Sequence, residues 1–370
     1  MSSPNRADDT EPPSSLSTPR QRDGVDETPY ADLNPDAVLD ALDAVGLRGD
    51  GRLIQLNSYE NRVFQVYLEG PAQGAGPVVV AKFYRPGRWS DAQILEEHAF
   101  ALELAAAEVP VVPPDVLAVA ADPRLAVALA GDPPTLACVA GHRIGVSQRR
   151  AGRSPELDDE RTLEWIGRFI GRLHAVGAKR PFAHRGALDA ATFGDAPRDW
   201  LLENDWLPSQ ELAGWREAVD RALDAVRSAY DAVPGLRTLR LHGDCHRGNI
   251  LWTDAGPHFV DLDDAVSGPA VQDLWMLLSG DRASMTRQLS AVLAGYEDFM
   301  EFDWRELRLV EPLRTLRLIH HSAWLARRWR DPAFPIAFPW FGGAAYWHGQ
   351  TALLHEQIDA MRETPLGLPA

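Results

Sequence analysis

The stretch from Leu239 to Asp264, LRLHGDCHRGNILWTDAGPHFVDLDD, narrows the choice of fold more than any other part of the chain. Leu239 and Leu241 lead as a short apolar run into His242, Gly243 and Asp244. Asn249 lies five positions beyond Asp244, and a second apolar run, Phe259 and Val260, ends at Asp261. A carboxylate in a tight turn, an amide a few residues on and a carboxylate at the end of the next strand suit phosphoryl transfer. That reaction needs one carboxylate to hold and deprotonate the acceptor hydroxyl. It also needs hard oxygen ligands for magnesium on the ATP phosphates. Asp244 is expected to be the base, with Asn249 and Asp261 as the metal ligands.

The same stretch resembles the aminoglycoside phosphotransferase-like branch of the protein-kinase fold. Six strings make the likeness narrower: LNSYENRV at 56–63, AKFYRPGRW at 81–89, ILEEHAFAL at 94–102, RLHGDCHRGNILW at 240–252, FVDLDDA at 259–265 and GPAVQDLWMLL at 268–278. Together they resemble the bacterial stress response kinase A family, from about residue 30 to near the C-terminus. The resemblance implies an α+β, two-lobed, protein-kinase-like fold with a small antiparallel sheet lobe and a mainly helical large lobe. It implies an ATP- and Mg2+-dependent serine/threonine protein kinase that acts in the cytoplasm under envelope or oxidative stress and limits stress-induced cell death. The expected partners are protein substrates, the chain itself among the candidates, and the expected state is a monomer.

Composition agrees with a large soluble protein. The 370 residues are 45% hydrophobic and 24% charged, enough for a sizeable core. The net charge of −16 argues against broad nucleic-acid binding, which needs a basic surface. Cys138 and Cys245 are too few for a disulfide framework and fit a reducing compartment. The N-terminal stretch lacks the apolar core of a signal peptide, and no apolar run is long enough to span a membrane. Residues 1–29, rich in Ser, Pro, Asp and Arg, read as a disordered tail. The small ATP-binding lobe is expected over 30–139 and the large catalytic lobe over 140–370.

Order begins at 34–46, where Asn34 offers an N-cap, Pro35 a first helical residue and Gly46 a stop. Strands are expected at 53–56, 63–68 and 78–83, with the polar turn Asn57-Ser58-Tyr59-Glu60-Asn61 between the first two. No glycine-rich phosphate loop is present. Ser58 and its neighbours would supply a hydroxyl and backbone N–H groups instead, and the resemblance points to Ser58 as an ATP contact. Such a turn also has an ordinary reading, since Ser and Asn favour local hydrogen bonds.

Lys82 sits inside the apolar run Val78–Phe83, and a buried ammonium must find a partner. In kinases it meets the ATP phosphates and a helix glutamate. The helix after Ser90 carries Glu96 and Glu97; Glu97 is the chosen partner, with Glu96 left open. Further strands are expected at 125–129 and 135–139. Ala140-Gly141-His142-Arg143 then reads as the connector between lobes, followed by a polar loop over 145–155.

Helical spacing at Leu163, Ile166, Phe169, Ile170 and Leu173, with Gly167 and Gly171 between, predicts a closely packed helix. His174 and His242 read as structural hydrogen-bonders, and Asp273 as a cap or a pin for the catalytic turn. Asp261 corresponds to the aspartate of the kinase DFG motif, and Asp263 is a candidate for a second metal. Cys245, beside the base, reads as an inert thiol. Further helices are expected at 283–300, 304–330 and 344–363. His320, His321, Arg327 and Arg328 could form a basic patch beside Phe334, Phe338, Trp340 and Phe341, and such a patch would suit an acidic substrate segment. Two rival readings stand beside the protein kinase: a small-molecule hydroxyl kinase of the aminoglycoside, choline or homoserine type, and a non-catalytic nucleotide-binding regulator.

Overall fold

The computed structural model describes residues 29–70 and 76–367. The tail expected over 1–29 lies, apart from its last residue, outside the described residues.

Helix α1 (Pro35–Ala44) starts where Asn34 accepts the Ala37 N–H at 2.9 Å, which satisfies one of the open donors of the first turn. Strands β1 (Gly49–Leu56), β2 (Arg62–Leu68) and β3 (Val78–Phe83) follow as an antiparallel meander, with Val63 opposite both Leu56 and Lys82. Helix α2 (Asp91–Ala106) opens with a capping box between Ser90 and Gln93. Then come β4 (Val127–Gly131), β5 (Pro134–Val139) and β6 (His142–Gln148). The six strands form one antiparallel sheet in the order β1-β2-β3-β6-β5-β4.

The sixth strand corrects the expected connector. Ala140 and Gly141 both have positive φ, 49° and 85°, and make the tight turn of a β5–β6 hairpin. Residues 142–148 then pair with β3, placing Gly145 opposite Lys82. The chain leaves this sheet after Gln148, past the boundary expected at 139. A glycine-containing pair between apolar runs marks a hairpin and a lobe junction equally well, so local sequence could not separate them.

The large lobe contains α3 (Glu160–Gly177), α4 (Ala196–Glu203), α5 (Ser209–Asp231), β7 (Leu239–Leu241), β8 (Ile250–Thr253), β9 (Gly256–Phe259), β10 (Val266–Gly268), α6 (Gln272–Trp275), α7 (Arg282–Tyr296), α8 (Val310–Arg327), α9 (Ala333–Ala337) and α10 (Ala344–Ala360). Gly167 and Gly171 let α3 lie on α7: a Cβ there would stand 2.0 Å from the Val292 carbonyl oxygen and 2.5 Å from that of Tyr296. The helix expected over 304–330 is regular α-helix only from Val310 to Arg327.

Among the described residues, two large apolar cores result, with a smaller cluster of Tyr84, Ile94 and Leu136 beside them. One packs α1 against the sheet through Val38, Leu42, Phe64, Val79, Phe83 and Ile144. The other fills the large lobe around Leu163, Ile166, Trp215, Leu241, Phe259 and Trp347. Burying large side chains of this kind contributes roughly 1.5–3 kcal/mol each, upper figures against a fully exposed reference. The sequence from β7 through β10 belongs to the large-lobe core, and its turns project from that rigid base.

Candidate active site

The catalytic turn leaves β7, which is held by antiparallel pairing of Leu241 with Val266 in β10. Gly243 follows with φ +84°, and a Cβ there would lie 2.1 Å from the Asp264 carbonyl oxygen, so a side chain has no room. Buried Asp273 receives the His242 N–H at 2.8 Å and the Gly243 N–H at 2.9 Å, one on each carboxylate oxygen. His174, also buried, bridges Asp273 and the Tyr296 hydroxyl, at 3.0 Å from each. His242 Nε2 reaches the Val260 carbonyl at 2.9 Å and ties the turn to the strand end before Asp261. Asp273 therefore pins the turn, and both histidines act as braces.

Asp244 emerges from this scaffold. Arg317 of α8 donates from Nη1 to Asp244 Oδ1 at 2.9 Å, and His246 Nε2 lies 3.5 Å from Oδ2. Partial burial pushes the Asp244 carboxyl up, but His246 and Arg317 outweigh it and hold the group well below the usual carboxylate range. The Asp244 carboxylate, the expected base, is thus ionised at neutral pH. Asn249 donates from Nδ2 to the Asp244 carbonyl at 3.0 Å, which leaves its Oδ1 without a hydrogen bond among the described residues. Cys245 is buried and its thiol is pushed up by that burial, in keeping with an inert role. Asp261 adopts a left-handed backbone conformation, φ 61° and ψ 64°, and its side chain is 53% exposed.

Across the cleft, Lys82 reaches in from β3. Its ammonium lies 2.9 Å from Asp263 Oδ1 and 3.2 Å from Asp261 Oδ1. Burial alone would favour the neutral amine, but Asp263, Glu97 and Asp261 raise its pKa well above the ordinary lysine value. The expected direct pair with Glu97 is not formed. Glu97 Oε2 lies 3.3 Å from Arg185 Nη2 instead. The Arg185 guanidinium is buried and already donates to the carbonyls of Gln93, Asp263 and Ala265. A buried cation held by neutral carbonyls still needs a counter-charge, and Glu97 supplies it. Glu96 is not the partner either, because it accepts the backbone N–H groups of Ala183, His184 and Arg185.

Asp263 is also placed differently from the expectation of a second metal. It is buried, and besides Lys82 it receives the Arg88 guanidinium and the Asn61 amide, the latter at 3.2 Å. Burial raises its carboxyl, but Arg88 and Lys82 together hold it below the usual range. It is a structural hub between the sheet and the catalytic strand end.

The Ser58 turn joins β1 to β2 and is held by side chains within it and across from it. Ser58 Oγ accepts the Asn61 N–H at 3.3 Å. Asn61 Oδ1 accepts the Arg85 N–H at 3.1 Å, and buried Glu60 receives the Trp324 indole N–H at 2.7 Å. Arg88, Arg185 and Arg317 were not singled out from sequence. Arg88 left a signal in the string YRPGRW after the lysine strand; Arg185 and Arg317 lie in no motif.

The expected basic patch is dispersed. Arg327 lies over the Trp200 ring at 5.0 Å, His320 packs on Phe193 at 4.6 Å, and Arg328 pairs with Glu60. Of the four aromatics, Phe334 and Phe341 are buried, Phe338 packs on Tyr59 at 4.9 Å, and Trp340 is exposed.

A lysine-bearing antiparallel sheet facing a pinned aspartate turn, with an asparagine and a second aspartate following, defines a kinase-like phosphotransferase. The model of the phosphotransferase enzyme family matches residues 52–310. The chain is 45% identical over 339 residues to stress response kinase A of Escherichia coli, covering 92% of this chain and 97% of the relative. The same figures hold for a Salmonella typhimurium protein named serine/threonine protein kinase RdoA. The fold is similar to that of an amicoumacin kinase in complex with AMP-PNP and Ca2+, at TM-score 0.64 and 17% identity, covering 90% of this chain and 94% of that one. The chain belongs to the phosphotransferase enzyme family and, within it, to the stress response kinase A family.

Proposed function

We propose that this kinase transfers the γ-phosphoryl group of Mg-ATP to serine and threonine hydroxyls of cytoplasmic proteins, and that it protects cells under envelope or oxidative stress. The observation that carries the protein acceptor is the 45% identity over 92% of the chain to a relative named as a serine/threonine protein kinase. The site supports it: the charged group beside the base is Arg317, whereas a cationic aminoglycoside or choline would call for carboxylates there. Among the described residues no helix is long and apolar enough to cross a membrane.

Asp261 and Asn249 suit a magnesium ion. The first offers a half-exposed carboxylate, the second an amide oxygen without another hydrogen bond among the described residues. A magnesium ion held by these two residues would supply charge neutralisation on the β- and γ-phosphates. Lys82 meets the phosphates, and Ser58 offers them a hydroxyl. Asp244 orients the acceptor hydroxyl and takes its proton as the new O–P bond forms. The bond from the γ-phosphorus to the β,γ-bridging oxygen breaks, and ADP leaves. Catalysis rests on positioning and charge stabilisation.

The test is transfer of labelled γ-phosphate by wild type and Asp244→Ala, offered a generic protein, the enzyme itself, and a panel of aminoglycosides, choline and homoserine. Label on serine or threonine, lost in the variant, is the expected result. Label on a small alcohol alone would overturn the protein acceptor.

A further inference from the structure

One cation is placed at the base where sequence expected a patch elsewhere. Arg317 lies on α8, one helical turn before His321. It uses one guanidinium N–H on Asp244 Oδ1, its side chain is 49% exposed, and its remaining N–H groups have no hydrogen-bond partner among the described residues. Arg247, three positions after the base on the catalytic turn, is exposed as well. The other carboxylates of the site are taken: Asp261 by Lys82, and Asp263 and Asp264 by Arg88. Beside the candidate base, Arg317 therefore keeps unspent donors in a chain whose net charge is −16. A planar guanidinium that gives one edge to a carboxylate keeps further donors for a second carboxylate.

We propose, building on the reading of this chain as a protein kinase, that Arg317 selects acceptors carrying an aspartate or glutamate next to the target serine or threonine. Arg317 bridges the acceptor's carboxylate and Asp244, so that recognition of the acidic neighbour brings the hydroxyl to the base. Arg317 is at once a positioning residue for Asp244 and the specificity determinant of the acceptor site.

Two serine peptides that differ only in their flanks, Asp on both sides or Lys on both sides, test this with wild type, Arg317→Lys and Arg317→Glu. Wild type is expected to favour the acidic peptide by about tenfold or more in kcat/KM, chiefly through KM, as for one charge-assisted contact. Arg317→Lys keeps the direction of preference at reduced size and guards against a folding defect. Arg317→Glu is expected to reverse the preference toward the basic peptide. Equal loss on both peptides in Arg317→Glu, without reversal, would reduce Arg317 to a structural role and overturn the inference. So would a wild type that treats the peptides alike. Transfer to a small alcohol with no label on either peptide would instead refute the protein-kinase reading, and the inference with it.

Discussion

Glu60 and Arg328 pair across the two lobes, with Arg328 Nε 2.6 Å from Glu60 Oε2. Glu60 belongs to the turn that carries Ser58; Arg328 directly follows α8. Around them Trp324 donates to the same oxygen, Arg85 Nε lies 3.3 Å from Glu60 Oε1, and Tyr59 packs on Phe338. Asp331 adds a second crossing, paired with Arg85 and, at 3.7 Å, with Arg62. In place of a flexible glycine loop, the turn that carries Ser58 is clamped by the large lobe.

Glu60→Ala should loosen that clamp. It leaves Arg85, Arg88 and Arg328 close together without their shared carboxylate. Removing one partner of a buried pair costs on the order of 3–5 kcal/mol. Urea unfolding should show a lower midpoint, and calorimetry a weaker ATP affinity, because the Ser58 turn loses its anchor. An unchanged midpoint would mean that the Asp331 crossing and the aromatic contacts hold the turn without Glu60.

Asp261→Ala should separate metal binding from folding. Lys82 keeps Asp263, so stability is expected to change by about 1 kcal/mol or less. Nucleotide affinity in the presence of magnesium should fall to its metal-free level. Wild-type Mg-ATP affinity in a calorimetric titration of the variant would refute Asp261 as a ligand.

Asp273→Asn tests the pin beneath the base. The carboxylate accepts the His242 and Gly243 N–H groups and faces His174; an amide has one acceptor oxygen and turns a donor toward another donor. An unsatisfied buried donor costs about 1–3 kcal/mol. Melting temperature should drop, and kcat should fall at least about tenfold as Asp244 loses its placement. Unaltered kcat in folded protein would show that the turn is rigid without Asp273.

His98 predicts an acid-sensitive small lobe. It is buried between the Tyr84 hydroxyl at 2.7 Å and Thr135 Oγ1 at 2.9 Å. Burial, reinforced by Lys82 and Arg185, pushes its pKa down to about 3 from the ordinary 6.5. The unfolded chain therefore binds a proton that the folded chain does not between those values. Stability from this group is complete above pH 6.5 and is lost as pH falls toward 3. The loss amounts to about 2 kcal/mol by pH 5. Denaturant unfolding at pH 7 and pH 5 should show it, and His98→Gln should flatten the dependence. An equal pH slope in wild type and variant would assign acid sensitivity elsewhere.

The three candidate site residues are readable together because they are near neighbours in the chain. Asp244, Asn249 and Asp261 sit within one turn and one short hairpin, and local spacing is enough to bring them together. The cap at Asn34 and the glycines of α3 are readable for the same reason, since each acts within a few residues or along one helix face. The sixth strand was missed because its alternative, a lobe connector, uses the same turn residues.

The charge partners were a different matter. Arg317 meets Asp244 across 73 positions, and Arg185 meets Glu97 across 88. With 37 lysines and arginines against 53 aspartates and glutamates, composition permits far too many pairings to choose among. Sequence sets which turns, caps and apolar faces can form, because those depend on short-range sterics and periodicity. Which cation answers which carboxylate depends on how distant segments pack, within the large lobe for Arg317 and Asp244 and across the lobes for Arg185 and Glu97, since an ion pair gains its energy only within a few ångströms.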